Sequence, residues 1–178
     1  PKCVGIGEGG LDYFYGYNNH EMQKQSFLTQ IKVSRDTNLP LVIHSRDADN
    51  DMIDILTSEY KQAPFKAILH CFSSGEKLAK IGIELGFFIS FSGIVTFKSA
   101  RNIQSIAKNV PLDKILVETD SPYLAPSPYR GTVNEPKNCL HTAKFLAELK
   151  GLSFEDFANY TYNNSTNVFN KIITGLVK

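Results

Sequence analysis

The chain has 178 residues and a formal net charge of +1; 42% of its residues are hydrophobic and 21% are charged. Such a length holds one domain or a tight pair, and such a composition excludes wholesale disorder. No apolar run reaches the roughly 18 residues of a membrane span, the first ten residues lack the pattern of a signal peptide, and near-neutral charge leaves no electrostatic footprint for nucleic acid.

Read in chain order, short apolar runs alternate with longer amphipathic ones. A first strand is expected over Cys3–Gly7, followed by a helix over His20–Thr37 with an apolar stripe of Met22, Phe27, Ile31 and Val33. A strand over Leu39–His44 leads to a helix over Asp49–Tyr60, and a strand over Lys66–His70 leads to a helix over Gly75–Leu85. Phe87–Ser92 and Lys114–Thr119 complete five strands, with a helix over Ser99–Lys108 between them. After the proline-rich stretch from Ser121 to Pro136, two helices are expected over Glu135–Leu149 and Ser153–Ile173, the last with Ser153 and Asp156 as a weak N-cap signal. Nearly continuous apolar strands, each followed by room for one crossover helix, predict an α/β fold with a parallel sheet. An open doubly wound sheet and part of a barrel both fit. A complete barrel takes about 250 residues, more than this chain has.

Three cysteines, Cys3, Cys71 and Cys139, form no close pair in sequence. An odd, dispersed set argues against a disulfide scaffold and for a reducing, cytoplasmic setting.

Polar residues gather where the expected strands end. Glu8, His44 and His70 follow three of them, and Glu118, Thr119 and Asp120 close the last. In a parallel α/β protein those ends lie on one side of the molecule, so two imidazoles and at least two carboxylates converge. That donor set suits a divalent cation, whose bound water becomes a hydroxide nucleophile near neutral pH. Competing chemistries fit less well. The glycines of Gly5-Ile6-Gly7-Glu8-Gly9-Gly10 have the wrong spacing for a dinucleotide loop. There is no Walker lysine and no Gly-x-Ser-x-Gly elbow. Cys71 and His70 are neighbours on one strand and point to opposite faces.

Several residues carry two readings. His44 and His70 suit metal ligation or a satisfied core, and Asp120 suits ligation or a turn cap. Arg46 suits a phosphate clamp or a surface pair with Asp47 or Asp49. The cluster Tyr13, Phe14, Tyr15 and Tyr17 suits base stacking or loop packing. Asn134 suits a substrate contact or a helix N-cap.

The segments GIGEGGLDY (5–13), LPLVIHSRDA (39–48), HCFSSG (70–75), ISFSGIVTF (89–97) and ETDSPYLAPSPYRGTVNEP (118–136) resemble, in order, those of the TatD family of metal-dependent deoxyribonucleases. The resemblance spans most of the chain. It implies one domain over residues 1–178 of the (β/α)8 TIM-barrel type, present as an incomplete barrel of about five βα units, strands four to eight. The family's His-x-His pair on strand one has no counterpart here, so the resemblance implies the C-terminal two-thirds of a family member. It implies metal ligation by Glu8, His44, His70 and Asp120. Glu8 would bridge two cations, and Asp120 would also take a proton from the attacking water. Without the histidine pair, one weakly held cation is expected instead of two, and open strand edges invite aggregation. Mg²⁺ or Mn²⁺ is implied, with Zn²⁺ permitted by the imidazoles. Substrate contacts are expected at Arg46, Ser73, Tyr123, Arg130 and Asn134. The implied activity is phosphodiester hydrolysis in DNA, as a 3′–5′ exonuclease on single-stranded or 3′ ends, with no membrane and no stable protein partner. The alternatives are a hydrolase of a small phosphoester or amide, and a non-catalytic remnant.

Overall fold

The computed structural model describes residues 2–15 and 19–172. Its sheet has five parallel strands in sequential order, β1 (Ile6–Asp12), β2 (Leu41–Arg46), β3 (Ala67–Leu69), β4 (Phe88–Phe91) and β5 (Ile115–Val117). Helices α1 (His20–Thr37), α2 (Asp49–Gln62), α3 (Glu76–Glu84) and α4 (Arg101–Asn109) form the four crossovers. After β5 come the proline-rich loop, a 3-10 turn at Pro136–Asn138, α5 (Cys139–Lys150) and α6 (Phe154–Val168). The expected α/β alternation and parallel sheet are therefore present, with helix ends displaced by a few residues. Tyr17 and the expected helix end at Ile173 lie outside the described residues.

The period-2 alternation of strand side chains gives the sheet two different faces. Leu41, Ile43, Ala67, Leu69, Ile89, Phe91 and Ile115 point to one face and join the helices in the main core. Val42, Ile68, Phe88 and Leu116 point to the other, where Val168 at the end of α6 and Phe169 cover them. Two residues further along each strand, that second face continues as His44, His70, Ser90 and Glu118. A polar layer thus lies directly above an apolar one, at the C-terminal ends of the strands.

Three local expectations need correction. The first strand begins later than predicted and runs to Asp12, so Glu8 sits within it, at the register shift between Ile6 and Gly9. Glycines allow this course. Gly10 has φ +148°, and a Cβ there would meet the His44 carbonyl oxygen at 1.9 Å, so β1 lies closer to β2 than any side chain permits. In α1, Met22 and Val33 do not join the stripe: they are 67% and 39% exposed. Phe27, Ile31 and Ser34 are the buried residues, because positions i, i+4 and i+7 share one face whereas Val33 falls about 100° away. Finally, α5 starts at Cys139 rather than Glu135, behind the 3-10 turn. The Ser153 cap matches expectation, its hydroxyl accepting from the Asp156 amide.

Candidate metal centre

His44 sits near the end of β2, on the sheet face that continues from Val42. Its Nδ1 lies 3.2 Å from Glu8 Oε1, and its Nε2 lies 3.0 Å from Asp12 Oδ2. His70 directly follows β3. Its Nε2 lies 3.1 Å from the same Glu8 oxygen, and its Nδ1 lies 3.3 Å from Glu118 Oε1. Glu8 Oε1 is thus shared by two imidazoles whose ring centroids are 5.8 Å apart. One donor atom from each of Glu8, His44 and His70 falls within 4.8 Å of the others, and so does a second trio of His70, Glu118 and Asp120.

The first trio fits a divalent cation. His70 Nε2 is buried and receives no hydrogen bond despite its closeness to Glu8. A buried ring nitrogen held 3.1 Å from a carboxylate oxygen without hydrogen-bond alignment is placed to share a cation with it. On the far side of each ring a carboxylate, Asp12 for His44 and Glu118 for His70, is placed to accept the other N–H. That arrangement fixes the tautomer and leaves the metal-facing nitrogen unprotonated once a cation is held. Glu118 is itself held: its Oε1 accepts from the Cys71 amide at 3.0 Å, and its other oxygen accepts from the Ser90 hydroxyl. In the second trio His70 Nδ1 is already engaged by Glu118, so we assign Glu118 to orienting His70.

Electrostatics follow from this crowding. Burial opposes charge on His70, but the hydrogen bond to Glu118 and the charges of Glu118 and Glu8 outweigh it and raise its pKa to about 9. Asp120 is held above the ordinary carboxylate range by burial and then by the Glu118 charge. Burial pushes the Cys71 thiol up to about 12, and its sulfur contacts the Ser92 hydroxyl at 3.2 Å. Cys71 is therefore a protonated thiol rather than a nucleophile. The expected opposite facing of His70 and Cys71 does not hold: both lie in the turn after β3, with Cys71 at φ +41°, and both line the same cavity. All three cysteines are free.

Glu8, His44, His70 and Asp120 line one cavity of about 560 Å³, together with Asp12, Arg46, Ser73 and Tyr123. The structure thus brings together the four residues expected to hold metal and three of those expected to touch substrate. Arg130 and Asn134 do not join them. Arg130 is exposed, with its guanidinium 4.5 Å from the Phe97 ring centroid. Asn134 is 3% exposed and clasps the proline-rich loop: Nδ2 donates to the carbonyls of Thr119 and Tyr123, both at 2.8 Å, and Oδ1 accepts from Glu135 N and Asn138 Nδ2. It caps no α-helix, and its side-chain amide is fully engaged by Thr119, Tyr123, Glu135 and Asn138. Arg46 forms no pair with Asp47 or Asp49 among the described residues; it stacks on Phe14 instead. Tyr13 follows the packing alternative, donating to Asp51 Oδ2 at 2.7 Å and stacking on His20.

Sequence reasoning did not single out the orienting roles of Asp12 and Glu118. Glu118 was accessible in principle, two residues after Leu116 on the face that carries His70. Asp12 was hidden by ending the first strand at Gly7.

Imidazoles and carboxylates converging at the C-terminal end of a parallel sheet are the arrangement of metal-dependent α/β hydrolases. The profile of the TatD related DNase family matches residues 1–170, and the chain belongs to that family. It is 44% identical over 166 residues to the uncharacterized metal-dependent hydrolase YcfH of Escherichia coli K12, covering 93% of this chain and 62% of that protein. It is 40% identical to the uncharacterized metal-dependent hydrolase YabD of Bacillus subtilis, covering 94% and 66%. The crystal structure of YJJV, a TatD homolog from Escherichia coli, superposes with a TM-score of 0.87 at 27% identity, covering 94% of this chain and 64% of that one. The chain therefore spans just under two-thirds of the length of these relatives. Among the described residues, no helix is long and apolar enough to cross a membrane.

Proposed function

We propose that this chain carries the cation site of a metal-dependent phosphodiesterase that removes nucleotides from the 3′ end of DNA. We read its five strands as strands four to eight of an eight-stranded barrel. The observation that carries the functional reading is the convergence of Glu8, His44 and His70 donor atoms within 4.8 Å of one another, with both imidazoles turned to the same Glu8 oxygen.

In this reading Glu8, His44 and His70 would hold a divalent cation, Mg²⁺ or Mn²⁺. When bound, such a cation lowers the pKa of water and polarises a phosphoryl oxygen. Asp12 and Glu118 hold the two imidazoles in register. Asp120 lines the same cavity, and burial beside Glu118 raises its proton affinity, which suits it to take the proton of an attacking water. The Arg46 guanidinium stands at the rim, where its in-plane donors match phosphate oxygens.

The test uses a 5′-labelled single-stranded oligonucleotide with Mg²⁺ or Mn²⁺. The expected result is progressive shortening from the 3′ end, abolished by EDTA and by His70→Ala. Cleavage of small chromogenic phosphoesters with no action on any oligonucleotide would overturn the DNA assignment. So would cleavage that persists in EDTA.

A further inference from the structure

Beside the metal cavity stands an aromatic feature that neither the core nor cation ligation uses. The Arg46 guanidinium carbon lies 3.6 Å from the Phe14 ring centroid, and the Tyr15 ring meets Phe14 edge-on at 5.0 Å and 86°. Phe14 is 54% exposed and Tyr15 49%. Phe14 thus presents aromatic surface beside the cavity, on which a flat ring can stack.

The feature is rigidly tied to the cation site. Arg46 pairs in register with Asp12 at the ends of β2 and β1, and the Tyr13 amide donates to the Arg46 carbonyl at 2.9 Å. Arg46 lies two residues beyond His44 on the same strand face, about 7 Å further along. Asp12 joins the two sites directly. One of its oxygens faces His44 Nε2 at 3.0 Å, and the other accepts from the Phe14 amide at 3.0 Å. The residue that orients a cation ligand therefore also sets the position of the ring.

Beyond the stack lies a second cavity of about 830 Å³, which shares Arg46, Ser73 and Ile94 with the first. Its wall includes Asp47, Asp49 and Asp51. Asp49 accepts from the Gly75 amide, and Asp51 accepts from the Tyr13 hydroxyl and pairs with Lys24, which leaves Asp47 to favour an uncharged group bearing N–H donors over a second phosphate. A nucleobase fits that description: flat, stackable, and carrying amino or imino donors at its edge.

We propose that the Phe14–Arg46 stack is a nucleobase subsite, which receives an unpaired base flanking the phosphate held at the cation site. This deepens the phosphodiesterase reading and rests on it. A base still paired and stacked in duplex cannot present its face to the ring, so the subsite selects single-stranded or frayed ends.

The test is equilibrium binding in EDTA, where no turnover occurs, of a fluorescently labelled tetrathymidylate and of its fully abasic counterpart. The two carry the same charge. The wild-type chain is expected to bind the base-bearing strand roughly 5- to 100-fold more tightly, the range for losing one base–aromatic contact. Phe14→Ala is expected to bring that ratio to within about twofold while leaving affinity for the abasic strand unchanged, and Phe14→Tyr to restore it. Phe14 is exposed, and a melt of each variant checks its fold. Equal binding of the two strands by wild type would overturn the subsite, as would a Phe14→Ala loss that falls on both strands alike. Failure of the parent reading is distinguishable: base discrimination would persist, but Mn²⁺ would yield no cleavage.

Discussion

At the scale of the residue, the site is organised by what lies behind each ligand. His44 and His70 each carry a carboxylate on the nitrogen away from Glu8, at 3.0 Å and 3.3 Å respectively. Asp12→Asn and Glu118→Gln keep shape and size but remove the charge that makes each imidazole a strong donor. Each is expected to weaken Mn²⁺ binding about 10- to 100-fold with the fold retained, as isothermal titration would measure. Unchanged affinity in both variants would remove these carboxylates from the account. His70 also gives a pH dependence whose sign is fixed. Its pKa in the folded, metal-free chain is raised from 6.5 to about 9, so its protonated form stabilises the fold fully below about pH 6.5. That contribution is lost as pH rises through 9. Denaturant midpoints in EDTA are expected to fall across this window in wild type and less steeply in His70→Gln. A cation must displace that proton, so Mn²⁺ affinity is expected to rise with pH over the same range.

At the scale of the element, the strands and helices were legible wherever one periodicity dominated. The strands Leu41–Arg46, Ala67–Leu69, Phe88–Phe91 and Ile115–Val117 are each built on an apolar run, and each falls within a predicted strand or within two residues of one. The first strand was not legible past Gly7. Gly7, Gly9 and Gly10 carry no strand propensity, and their selection reflects close approach of Gly7 and Gly10 to β2 and of Gly9 to Gln30 on α1, a tertiary cause. Asp12, at the end of that strand, was misplaced for the same reason. The proline-rich stretch from Ser121 to Pro136 was legible as a break between elements, but the role of Asn134 was not. An asparagine at an expected helix start reads as a cap, and only the folded loop shows its amide bridging Thr119 and Tyr123. Asn134→Ala would leave two carbonyls and two donors short of partners. It is expected to cost about 2 kcal/mol by denaturant titration. It should also weaken Mn²⁺-dependent activity, because Asp120 lies between the two clasped residues, Thr119 and Tyr123. A change below about 0.5 kcal/mol would contradict the clasp.

At the scale of the whole molecule, one parallel sheet serves two purposes through its alternating faces. One face builds the hydrophobic core with the helices. The other stacks a polar layer of His44, His70, Ser90 and Glu118 above an apolar layer sealed by Val168 and Phe169. Strand ends distant in sequence thereby become neighbours in space, which is why five short motifs sufficed to locate Glu8, His44, His70 and Asp120. Exposed features, such as the Phe14–Arg46 stack, left no periodic trace in sequence because nothing in the core constrains them. The central claim is that Glu8, His44 and His70 form a cation site. Its most direct test is Mn²⁺ binding to the EDTA-stripped chain, followed by electron paramagnetic resonance, beside His44→Ala. Saturable binding in wild type that disappears in His44→Ala is the predicted result. Binding that survives His44→Ala would move the cation to the trio of His70, Glu118 and Asp120, and no saturable binding at all would contradict the site altogether.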